Sequence, residues 1–267
     1  MKSINDLMSL KGRVAVVTGG AGRIGSVMAE ALAEIGANIV ILDISLESCV
    51  PVCKRISKEY DVEVLSLAAD LALEEHIRTV PDKVVDKVGR LDILVNCAAF
   101  IGTSILPGWA VPFEQQSVNT WRRALGVNMT APFLLTQACT PALKQSEHGS
   151  VINIASIYGL VGVDMRLYED TKLGNPAAYA ASKGGLLQLT RWLASVLAPD
   201  IRANAITPGG VIAGQPDAFQ RRYIERTPLK RMAVEEDLKG AIAYLASDLS
   251  AYVTGQNIII DGGWTVW

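Results

Sequence analysis

Short, continuous apolar runs recur along the chain and alternate with longer segments whose apolar residues fall on one face of a helix. The runs predict parallel strands, because a strand that is covered by helices on both faces of its sheet is apolar throughout. Seven such strands are predicted, at residues 14–17, 38–42, 62–67, 91–95, 150–155, 201–206 and 257–260. Helical segments lie between them, including 26–35, 121–138 and 184–198. This alternation indicates an α/β fold that is built on a doubly wound parallel sheet.

The loop after the first predicted strand is rich in glycine and runs from Thr18 to Gly25. Gly20, Gly22 and Gly25 satisfy the pattern G-x-G-x-x-G between a strand and a helix, as in dinucleotide-binding proteins. Glycine allows the backbone to approach a pyrophosphate closely, and the helix N-terminus presents free N–H groups to it. A tight turn would also explain the glycines, but their place between strand and helix favours a dinucleotide site in a Rossmann-type domain.

Asp43 ends the second predicted strand, 18 residues beyond Gly25. A carboxylate at this position can accept hydrogen bonds from the adenine-ribose hydroxyls and would repel a 2′-phosphate. Arg23, in the glycine loop, is the contrary signal, since a guanidinium there could meet such a phosphate. We give the acidic residue more weight, because one mobile side chain compensates poorly for two facing anions. The prediction is therefore NAD rather than NADP.

Composition and charge narrow the choice of partners. The chain has 267 residues, of which 50% are hydrophobic, and its formal net charge is −2. This balance gives no reason to expect nucleic acid or an anionic membrane as a partner. Residues 1–6 include an acidic side chain where a signal peptide is basic, and no apolar run approaches the roughly eighteen residues of a membrane span. We expect a cytoplasmic protein that does not enter a membrane, folded as one domain over residues 1–267.

Four cysteines and two histidines are the candidate ligands for a transition metal. Three residues separate Cys49 from Cys53 on a predicted helix, no second cysteine pair follows, and His76 and His148 lie far apart in sequence. This spacing is not typical of a zinc site. We expect reduced structural thiols and no metal.

Tyr179 and Lys183 stand four residues apart on a predicted helix, so both side chains can point into one pocket. Tyrosine is a poor base at neutral pH, and a fixed cation nearby stabilises its phenolate. The same spacing occurs by chance on many helices, so the pair gains meaning only from its surroundings. Ser156 follows the fifth predicted strand, at the sheet edge where open parallel sheets place ligands.

Further polar or small residues follow the other strands. Asp70 follows the third strand and could reach an adenine, while the small residues 97–99 let a cofactor pass close to the end of the fourth. The sixth strand opens into residues 207–211. Asn128 is a polar residue in an apolar helix near Pro132, where it could bond a kinked backbone, serve a functional site, or do both.

In combination these motifs resemble the short-chain dehydrogenase/reductase family, over nearly the whole chain from about residue 10 to residue 263. The resemblance rests on the 18–25 loop, Asp70, Asn96-Cys97-Ala98-Ala99, Asn128, Ser156, Tyr179 with Lys183, Pro208-Gly209, Thr254-Gly255 and Asp261-Gly262-Gly263. It implies a single Rossmann-type domain that oxidises alcohols or reduces carbonyls with a nicotinamide cofactor. It also implies a homo-oligomer, as a tetramer or a dimer.

The resemblance assigns roles to individual residues. Tyr179 would be the general base or acid, Ser156 would hold the substrate oxygen, and Lys183 would lower the pKa of Tyr179 and bind the nicotinamide ribose. Asn128 would hold the water that relays the proton from Lys183 to solvent. The residues expected to bind the cofactor are Gly19, Gly22, Arg23, Ile24, Gly25, Asp43, Ile44, Asp70, Leu71, Asn96, Ala98, Tyr179, Lys183, Pro208, Gly209 and Val211.

The chain departs from the family pattern at three places. Arg23 stands where classical short members usually have glycine, and the glycine spacing matches the longer, nucleotide-sugar-modifying branch. The chain is too short for the substrate lobe of that branch, so we assign it to the classical type. The usual Asn-Asn-Ala-Gly is Asn-Cys-Ala-Ala at residues 96–99. Ala213 replaces a threonine that contacts the carboxamide, a contact that backbone groups of Val211 could supply.

Two segments are longer than the family usually has, near 100–118 and 160–176, and a substrate loop is expected near 209–228. The first segment carries Trp109, and the second carries Arg166 and Tyr168. We expect from them a charged, aromatic lip that suits a small polar substrate such as a sugar or sugar acid. A solvated surface insertion is the equal alternative.

Three functions remain open from the sequence. The first is an NAD-dependent alcohol dehydrogenase or ketoreductase for a small polar, sugar-like substrate. The second is a sugar epimerase or dehydratase that retains its NAD, which the glycine spacing suggests. The third is a non-catalytic NAD-binding protein, which the intact Ser156, Tyr179 and Lys183 disfavour.

The chain ends in two tryptophans, Trp264 and Trp267. Large apolar side chains are costly to expose at a chain end. We therefore expect both to be buried, either at a subunit interface or over a neighbouring pocket.

Overall fold

A computed structural model describes residues 1–101 and 104–267 of the chain. Its strands are β1 (Val14–Thr18), β2 (Asn38–Asp43), β3 (Val64–Ala68), β4 (Ile93–Asn96), β5 (Gly149–Ile154), β6 (Ile201–Pro208) and β7 (Asn257–Ile260). They form one sheet in the order β3-β2-β1-β4-β5-β6-β7, in which each neighbouring pair is parallel. The chain starts near the middle of the sheet and winds to one edge and then to the other, which confirms the doubly wound Rossmann-type fold.

Helices cover both faces of the sheet. They are α1 (Ile4–Met8), α2 (Arg23–Glu34), α3 (Leu46–Glu59), α4 (Glu74–Arg78), α5 (Val80–Val88), α6 (Val118–Leu125), α7 (Ala131–Gln145), α8 (Ala177–Leu197), α9 (Asp217–Arg226) and α10 (Lys239–Ala246). Ala15 and Val17 of β1 pack in the core shared with α2, α3 and α10, whereas Val14 and Val16 pack in the core shared with α4, α5, α7 and α8. Burial on both faces explains why successive residues of the central strands are mostly apolar.

Several predicted boundaries move by two or more residues, among them the starts of β3 and α8. β3 begins at Val64 instead of residue 62, because the N–H of Val62 closes a turn onto the carbonyl oxygen of Tyr60 at 3.0 Å. The helix predicted at 184–198 begins at Ala177, directly after a proline. Tyr179 therefore lies in the first turn of α8, close to the loops at the carboxyl edge of the sheet.

The helix predicted at 121–138 is interrupted. Residues 126–130 form a π-helical turn that joins α6 to α7. The turn carries Asn128, whose Oδ1 accepts the N–H of Phe100 at 2.7 Å and whose Nδ2 donates to the carbonyl oxygen of Phe100 at 3.0 Å. The distorted turn carries a side chain that satisfies the backbone of the segment after β4, and π-turns are frequent at functional sites.

In the described part of the chain, no helix is both long enough and apolar enough to cross a membrane. No group of three or more His, Cys, Asp or Glu residues among residues 1–101 and 104–267 is arranged to hold a metal ion. The four cysteines form no disulfide. Residues 102 and 103 of the expected insertion near 100–118 lie outside the described residues.

Candidate active site

A cavity of about 780 Å³ lies at the carboxyl ends of the strands, where doubly wound sheets bind ligands. The segments that follow β1 to β6 contribute to its wall, together with α8 and α9. The predicted cofactor-binding residues that line it are Gly19, Gly22, Arg23, Ile24, Gly25, Asp43, Ile44, Asp70, Leu71, Ala98, Tyr179, Lys183, Pro208, Gly209 and Val211. Asn96 is the exception.

The glycine loop at one end of the cavity is packed too closely for side chains. A Cβ on Gly25 would lie 2.2 Å from the carbonyl oxygen of Gly19, and a Cβ on Gly19, where φ is +62°, would lie 2.8 Å from the Cα of Ala98. Gly22 is the N-cap residue of α2 and provides no side-chain cap for the free N–H groups of the helix. This arrangement fits the close backbone approach and the helix N-terminus that a pyrophosphate requires.

Two buried polar residues brace the loops beside the cavity. The Oγ1 atom of Thr18 accepts the N–H groups of Cys97 at 3.0 Å and Ala98 at 3.1 Å. The Nδ2 atom of Asn96 donates to Oδ1 of Asn153 at 2.8 Å, within the sheet and off the cavity. The side-chain amide of Asn96 therefore supports the site by joining β4 to β5, and its expected contact with the cofactor stays a prediction.

Two carboxylates lie at the ends of β2 and β3. The oxygens of Asp43 accept the N–H groups of Ala21 at 3.0 Å and Ile44 at 2.8 Å, and Oδ1 of Asp70 accepts the N–H of Ala72 at 2.9 Å. Backbone donors therefore fix both side chains, and each carboxylate keeps lone pairs for hydroxyl or amino donors. Asp43 is placed to meet hydroxyl groups at this end of the cavity.

Arg23 is occupied by groups of its own chain. Its guanidinium pairs with the carboxylate of Glu235 and donates to the carbonyl oxygen of Ile212. A phosphate on the cavity side would have to compete with this carboxylate. In the folded protein, Arg23 is therefore less available to a 2′-phosphate of NADP than its position in the sequence suggests.

Ser156, Tyr179 and Lys183 face the same part of the cavity, as predicted. Ser156 begins a short 3-10 helix at residues 157–159, and its Oγ accepts the N–H of Tyr158 at 3.3 Å. The Nζ of Lys183 donates to the carbonyl oxygen of Ile154 at 2.6 Å and lies 5.8 Å from the centre of the Tyr179 ring. The end of β5 and the first two turns of α8 thus bring the three side chains together.

Burial sets the proton affinities of the pair on α8. It lowers the pKa of Lys183 from 10.5 to about 8. It raises the pKa of Tyr179, and the facing hydroxyl of Ser156 works against that rise. Desolvation is the largest effect on the pKa of both groups, and the expected lowering of the Tyr179 pKa by Lys183 stays a prediction.

Asn128 does not line the cavity. Besides its two hydrogen bonds to Phe100, its Nδ2 donates to Oγ of Ser182 at 3.1 Å. The expected part of Asn128 in proton relay stays a prediction, and the observed hydrogen bonds give its side chain a supporting role. It ties the segment after β4 to α8, and so holds two walls of the site together.

An aromatic wall, formed by Tyr158, Tyr168, Phe219 and Tyr223, lines the cavity together with Ser156, Tyr179 and Lys183. The ring centres of Tyr168 and Phe219 are 5.3 Å apart, and those of Phe219 and Tyr223 are 6.0 Å apart. Of the four, the sequence predicts only Tyr168. The position of Tyr158, two residues after Ser156, is a signal that could have identified it, whereas the two residues of α9 belong to no chemical motif.

Among the described residues of the longer segments, the expected charged lip is not found. Trp109 is 2% exposed, packs outside the cavity, and donates from Nε1 to the carbonyl oxygen of Ile101 at 2.8 Å. Arg166 is exposed and pairs with Asp164 at 2.8 Å. Among the described residues, the charged ones that line the cavity are Arg23, Asp43, Asp70 and Lys183. The substrate end is therefore aromatic and hydroxyl-bearing rather than charged.

The two terminal tryptophans differ in their surroundings. Trp264 is 3% exposed within the single chain and stacks on Tyr223, with ring centres 5.8 Å apart. The guanidinium of Arg226 lies 4.8 Å from the centre of the Trp264 ring. Trp264 thus lies behind the aromatic wall, which is one of the two expected places, whereas Trp267 is 72% exposed in the single chain.

The loop after β6 is closed by a glutamine. The N–H of Ala213 donates to Oε1 of Gln215 at 2.7 Å, and Nε2 of Gln215 donates to the carbonyl oxygen of Val211 at 2.8 Å. This side chain holds the loop where the family pattern has a threonine beside the carboxamide.

Comparison with known proteins supports the family resemblance from which the residues of this site were predicted. A family model described as "Enoyl-(Acyl carrier protein) reductase" matches residues 19–265, from the glycine loop to the C-terminal segment. The chain belongs to the short-chain dehydrogenase/reductase family. Its sheet order, its glycine loop and the grouping of Ser156, Tyr179 and Lys183 are those implied by the resemblance that its motifs showed.

Individual relatives extend over nearly the whole chain. The "Probable galactose dehydrogenase GalD" of Rhizobium meliloti (strain 1021) is 34% identical, covering 95% of each chain. The "3-oxoacyl-[acyl-carrier-protein] reductase FabG" of Thermotoga maritima is 32% identical, covering 96% of this chain and 99% of the relative. A gluconate 5-dehydrogenase from Burkholderia cenocepacia J2315, solved with NADP and tartrate, is 30% identical with a TM-score of 0.88, covering 99% of this chain and 100% of that one. This short-chain dehydrogenase/reductase is thus an oxidoreductase for alcohol-type substrates.

Proposed function

We propose that this protein transfers a hydride between NAD(H) and the hydroxyl-bearing or carbonyl carbon of a small polar, sugar-like substrate. The observation that carries the proposal is the meeting of Ser156, Tyr179 and Lys183 in one cavity with the glycine loop and Asp43. A single domain over residues 1–267 would supply both the cofactor end and the substrate end of that cavity.

The residues present fit a nicotinamide dinucleotide. The N–H groups at the start of α2 would hold the pyrophosphate, Asp43 the adenine-ribose hydroxyls, and Lys183 the nicotinamide ribose. An ammonium has three donors, and the carbonyl oxygen of Ile154 takes one of them. The nicotinamide, when bound, accepts a hydride in oxidation and delivers one in reduction.

Tyr179 is the proposed proton acceptor in oxidation and proton donor in reduction. In oxidation its phenolate oxygen takes the proton of the substrate hydroxyl. The hydroxyl of Ser156 hydrogen-bonds to the same substrate oxygen and fixes its position. The charge of Lys183, 5.8 Å from the centre of the Tyr179 ring, favours the phenolate. In reduction each group acts in reverse.

The preference for NAD rests on this chain's own residues. Asp43 would face a 2′-phosphate with a negative charge, and the pairing of Arg23 with Glu235 removes the nearest compensating cation. The Burkholderia cenocepacia structure contains NADP, which is a property of that protein. A sugar-like substrate is supported by the names of the galactose and gluconate dehydrogenases among the relatives.

We also propose a homo-oligomer, a tetramer or a dimer, in the cytoplasm. Trp192 and Val196 on α8 are 53% and 49% exposed, which supports a partner surface on that helix. Four thiols without a disulfide are compatible with a reducing compartment.

The proposal is tested by mixing the purified protein with NAD⁺ or NADP⁺ and a panel of aldoses, polyols and sugar acids, and by recording NADH or NADPH absorbance. We expect NADH to form with at least one neutral sugar or polyol, and to form faster than NADPH. A protein that reduces neither cofactor, but retains NAD through gel filtration and converts a sugar, would favour the epimerase or dehydratase instead.

A further inference from the structure

Three polar side chains at the substrate end of the cavity form a hydrogen-bonded chain. The Nδ2 of Asn175 donates to the hydroxyl of Tyr168 at 3.4 Å, and that hydroxyl donates to the hydroxyl of Tyr158 at 3.0 Å. All three residues line the cavity. Because Tyr168 already accepts from Asn175, its own hydrogen is available to Tyr158, and Tyr158 then keeps its hydrogen for another acceptor. Tyr158 is therefore the end of the chain and can donate to an oxygen atom in the cavity.

The position of Tyr158 relative to the catalytic residues is fixed by one short element. Ser156 and Tyr158 are held together by the 3-10 helix at 157–159, through the bond from the Tyr158 N–H to the Ser156 Oγ at 3.3 Å. The ring of Trp264 meets the ring of Tyr158 edge-on, with centres 6.3 Å apart. A side chain that is packed in this way loses little freedom when it binds a ligand.

The charges around this end of the cavity disfavour an anionic ligand. Asp164 lies between two guanidiniums, those of Arg166 and Arg226, and neither arginine lines the cavity. Among the described residues, the cations on the wall are Arg23, in the glycine loop, and Lys183, beside Tyr179. A carboxylate bound against the aromatic wall would lose water without gaining a cation.

We propose that Tyr158 determines the substrate specificity of this enzyme, by donating a hydrogen bond to a second oxygen next to the reacting carbon of a neutral cyclic hydroxy compound. Tyr168 and Asn175 position it, because each donated bond strengthens the next donor in the chain. The aromatic wall, formed by Tyr158, Tyr168, Phe219 and Tyr223, covers the face of the ring. This inference rests on the proposed function and adds the substrate class to it.

Three probe compounds separate the effect of a second oxygen on activity from the effect of a negative charge. Cyclohexanol offers the reacting oxygen alone, cyclohexane-1,2-diol adds a neighbouring neutral oxygen, and trans-4-hydroxycyclohexanecarboxylate adds a negative charge. We expect kcat/KM to be highest for the diol. Tyr158→Phe should lower the ratio of diol to cyclohexanol kcat/KM by about tenfold, as the loss of one hydrogen bond implies. Tyr168→Phe should lower the same ratio by a smaller factor, mainly through KM.

A matched control is Tyr252→Phe, since the side chain of Tyr252 is fully exposed and does not line the cavity. It should leave the ratio unchanged. A ratio that Tyr158→Phe does not alter, or a preference for the carboxylate over the diol, would overturn the inference.

Binding separates this inference from the proposed function. Calorimetric titration of the three probes into Tyr179→Phe protein saturated with NAD⁺ reports recognition without turnover. Diol binding that is no tighter than cyclohexanol binding, or not measurable, overturns the role of Tyr158. Failure of wild-type protein to reduce NAD⁺ with any probe counts instead against the proposed function, and the titration still decides the recognition.

Discussion

The ammonium of Lys183 donates to the carbonyl oxygen of Ile154 at 2.6 Å and thereby joins α8 to the end of β5. Lys183 is 3% exposed, and no carboxylate of the described residues forms a salt bridge with it. One carbonyl dipole replaces only part of the water that the charge loses on burial. The low pKa of Lys183, about 8, follows from that loss.

This burial makes stability depend on pH in a defined direction. Below about pH 8 Lys183 is charged in both folded and unfolded chains, and the folded chain bears the desolvation cost. Between about 8 and 10.5 the folded chain has lost the proton while the unfolded chain keeps it, so stability rises with pH. The gain is at most about 3 kcal/mol, from a difference of about 2.5 between the two pKa values.

Lys183→Met removes the titrating group and should remove this gain. Urea unfolding of both proteins without cofactor, between pH 7 and pH 10, measures it: the free energy of unfolding of the wild type should rise relative to that of the variant. A constant difference across this range would contradict the burial of a charged lysine.

The second prediction concerns Asp43 and the form of the cofactor. Asp43→Ser should remove the repulsion of a 2′-phosphate and raise kcat/KM for NADP by at least about tenfold, the equivalent of 1.4 kcal/mol. The loss of an acceptor for ribose hydroxyls should weaken NAD binding at the same time. Steady-state kinetics with both cofactors give the ratio, and a wild-type enzyme that already prefers NADP would refute the argument.

Asp70→Asn is the matched control for that substitution. Asp70 lines the same cavity at the end of β3 and, like Asp43, accepts a backbone N–H. It lies at the position assigned to the adenine rather than to the ribose. The control should weaken both cofactors alike and leave the NAD to NADP ratio nearly unchanged.

The third prediction separates the two terminal tryptophans. Trp264 is buried against Tyr223 and Arg226, so Trp264→Ala should cost about 3–5 kcal/mol of the free energy of unfolding and disturb the aromatic wall. Trp267 is exposed in the single chain, so Trp267→Ala should leave that free energy nearly unchanged. If Trp267 covers a subunit contact, as we propose for the oligomer, sedimentation should show weaker association of the Trp267 variant. Equal destabilisation by both substitutions would contradict these positions.

The sequence predicts the frame of the site well, because that frame follows from local patterns. Apolar runs locate the strands, and parallel strands bring their carboxyl ends to one edge of the sheet. Residues that end a strand or follow it within two residues, such as Asp43, Asp70 and Ser156, are therefore placed by the order of the strands alone. The glycines of the 18–25 loop are also predicted by a local pattern. The loop needs residues without side chains where it meets the segment after β4.

Residues that act through distant partners are predicted less well. The amide of Asn128 binds Phe100 and Ser182, which lie 28 and 54 residues away. Trp109 looks like part of a substrate lip in the sequence, but an apolar pocket formed with Ala124 and Ala178 buries it. The partners of Asn128 and of Trp109 follow no periodic pattern or fixed spacing in the sequence. Only tertiary packing therefore decides whether such residues face the cavity.

Proton transfer by Tyr179 is the subject of the fourth prediction. Burial raises the pKa of this phenol, while the adjacent Lys183 loses its proton at about pH 8. The two groups are coupled, and loss of one proton leaves either neutral lysine beside the phenol or ammonium beside the phenolate. Oxidation needs the second form. Its kcat/KM should therefore rise with pH through an apparent pKa near 8, well below the value of about 10 for free tyrosine.

Three substitutions show which side chain is responsible for each feature of the pH–rate profile. Tyr179→Phe keeps the ring packing and removes the proton acceptor, so turnover should fall by about 10²–10⁴-fold while NAD binding and unfolding change little. Lys183→Met leaves a buried phenol without its cation, which should move the rise in rate to higher pH and weaken NAD binding as well. Ser156→Ala should lower kcat and spare cofactor affinity. Turnover near the wild-type level in Tyr179→Phe, with the same pH profile, would mean that another group accepts the proton and that the Tyr179 phenol is not the base.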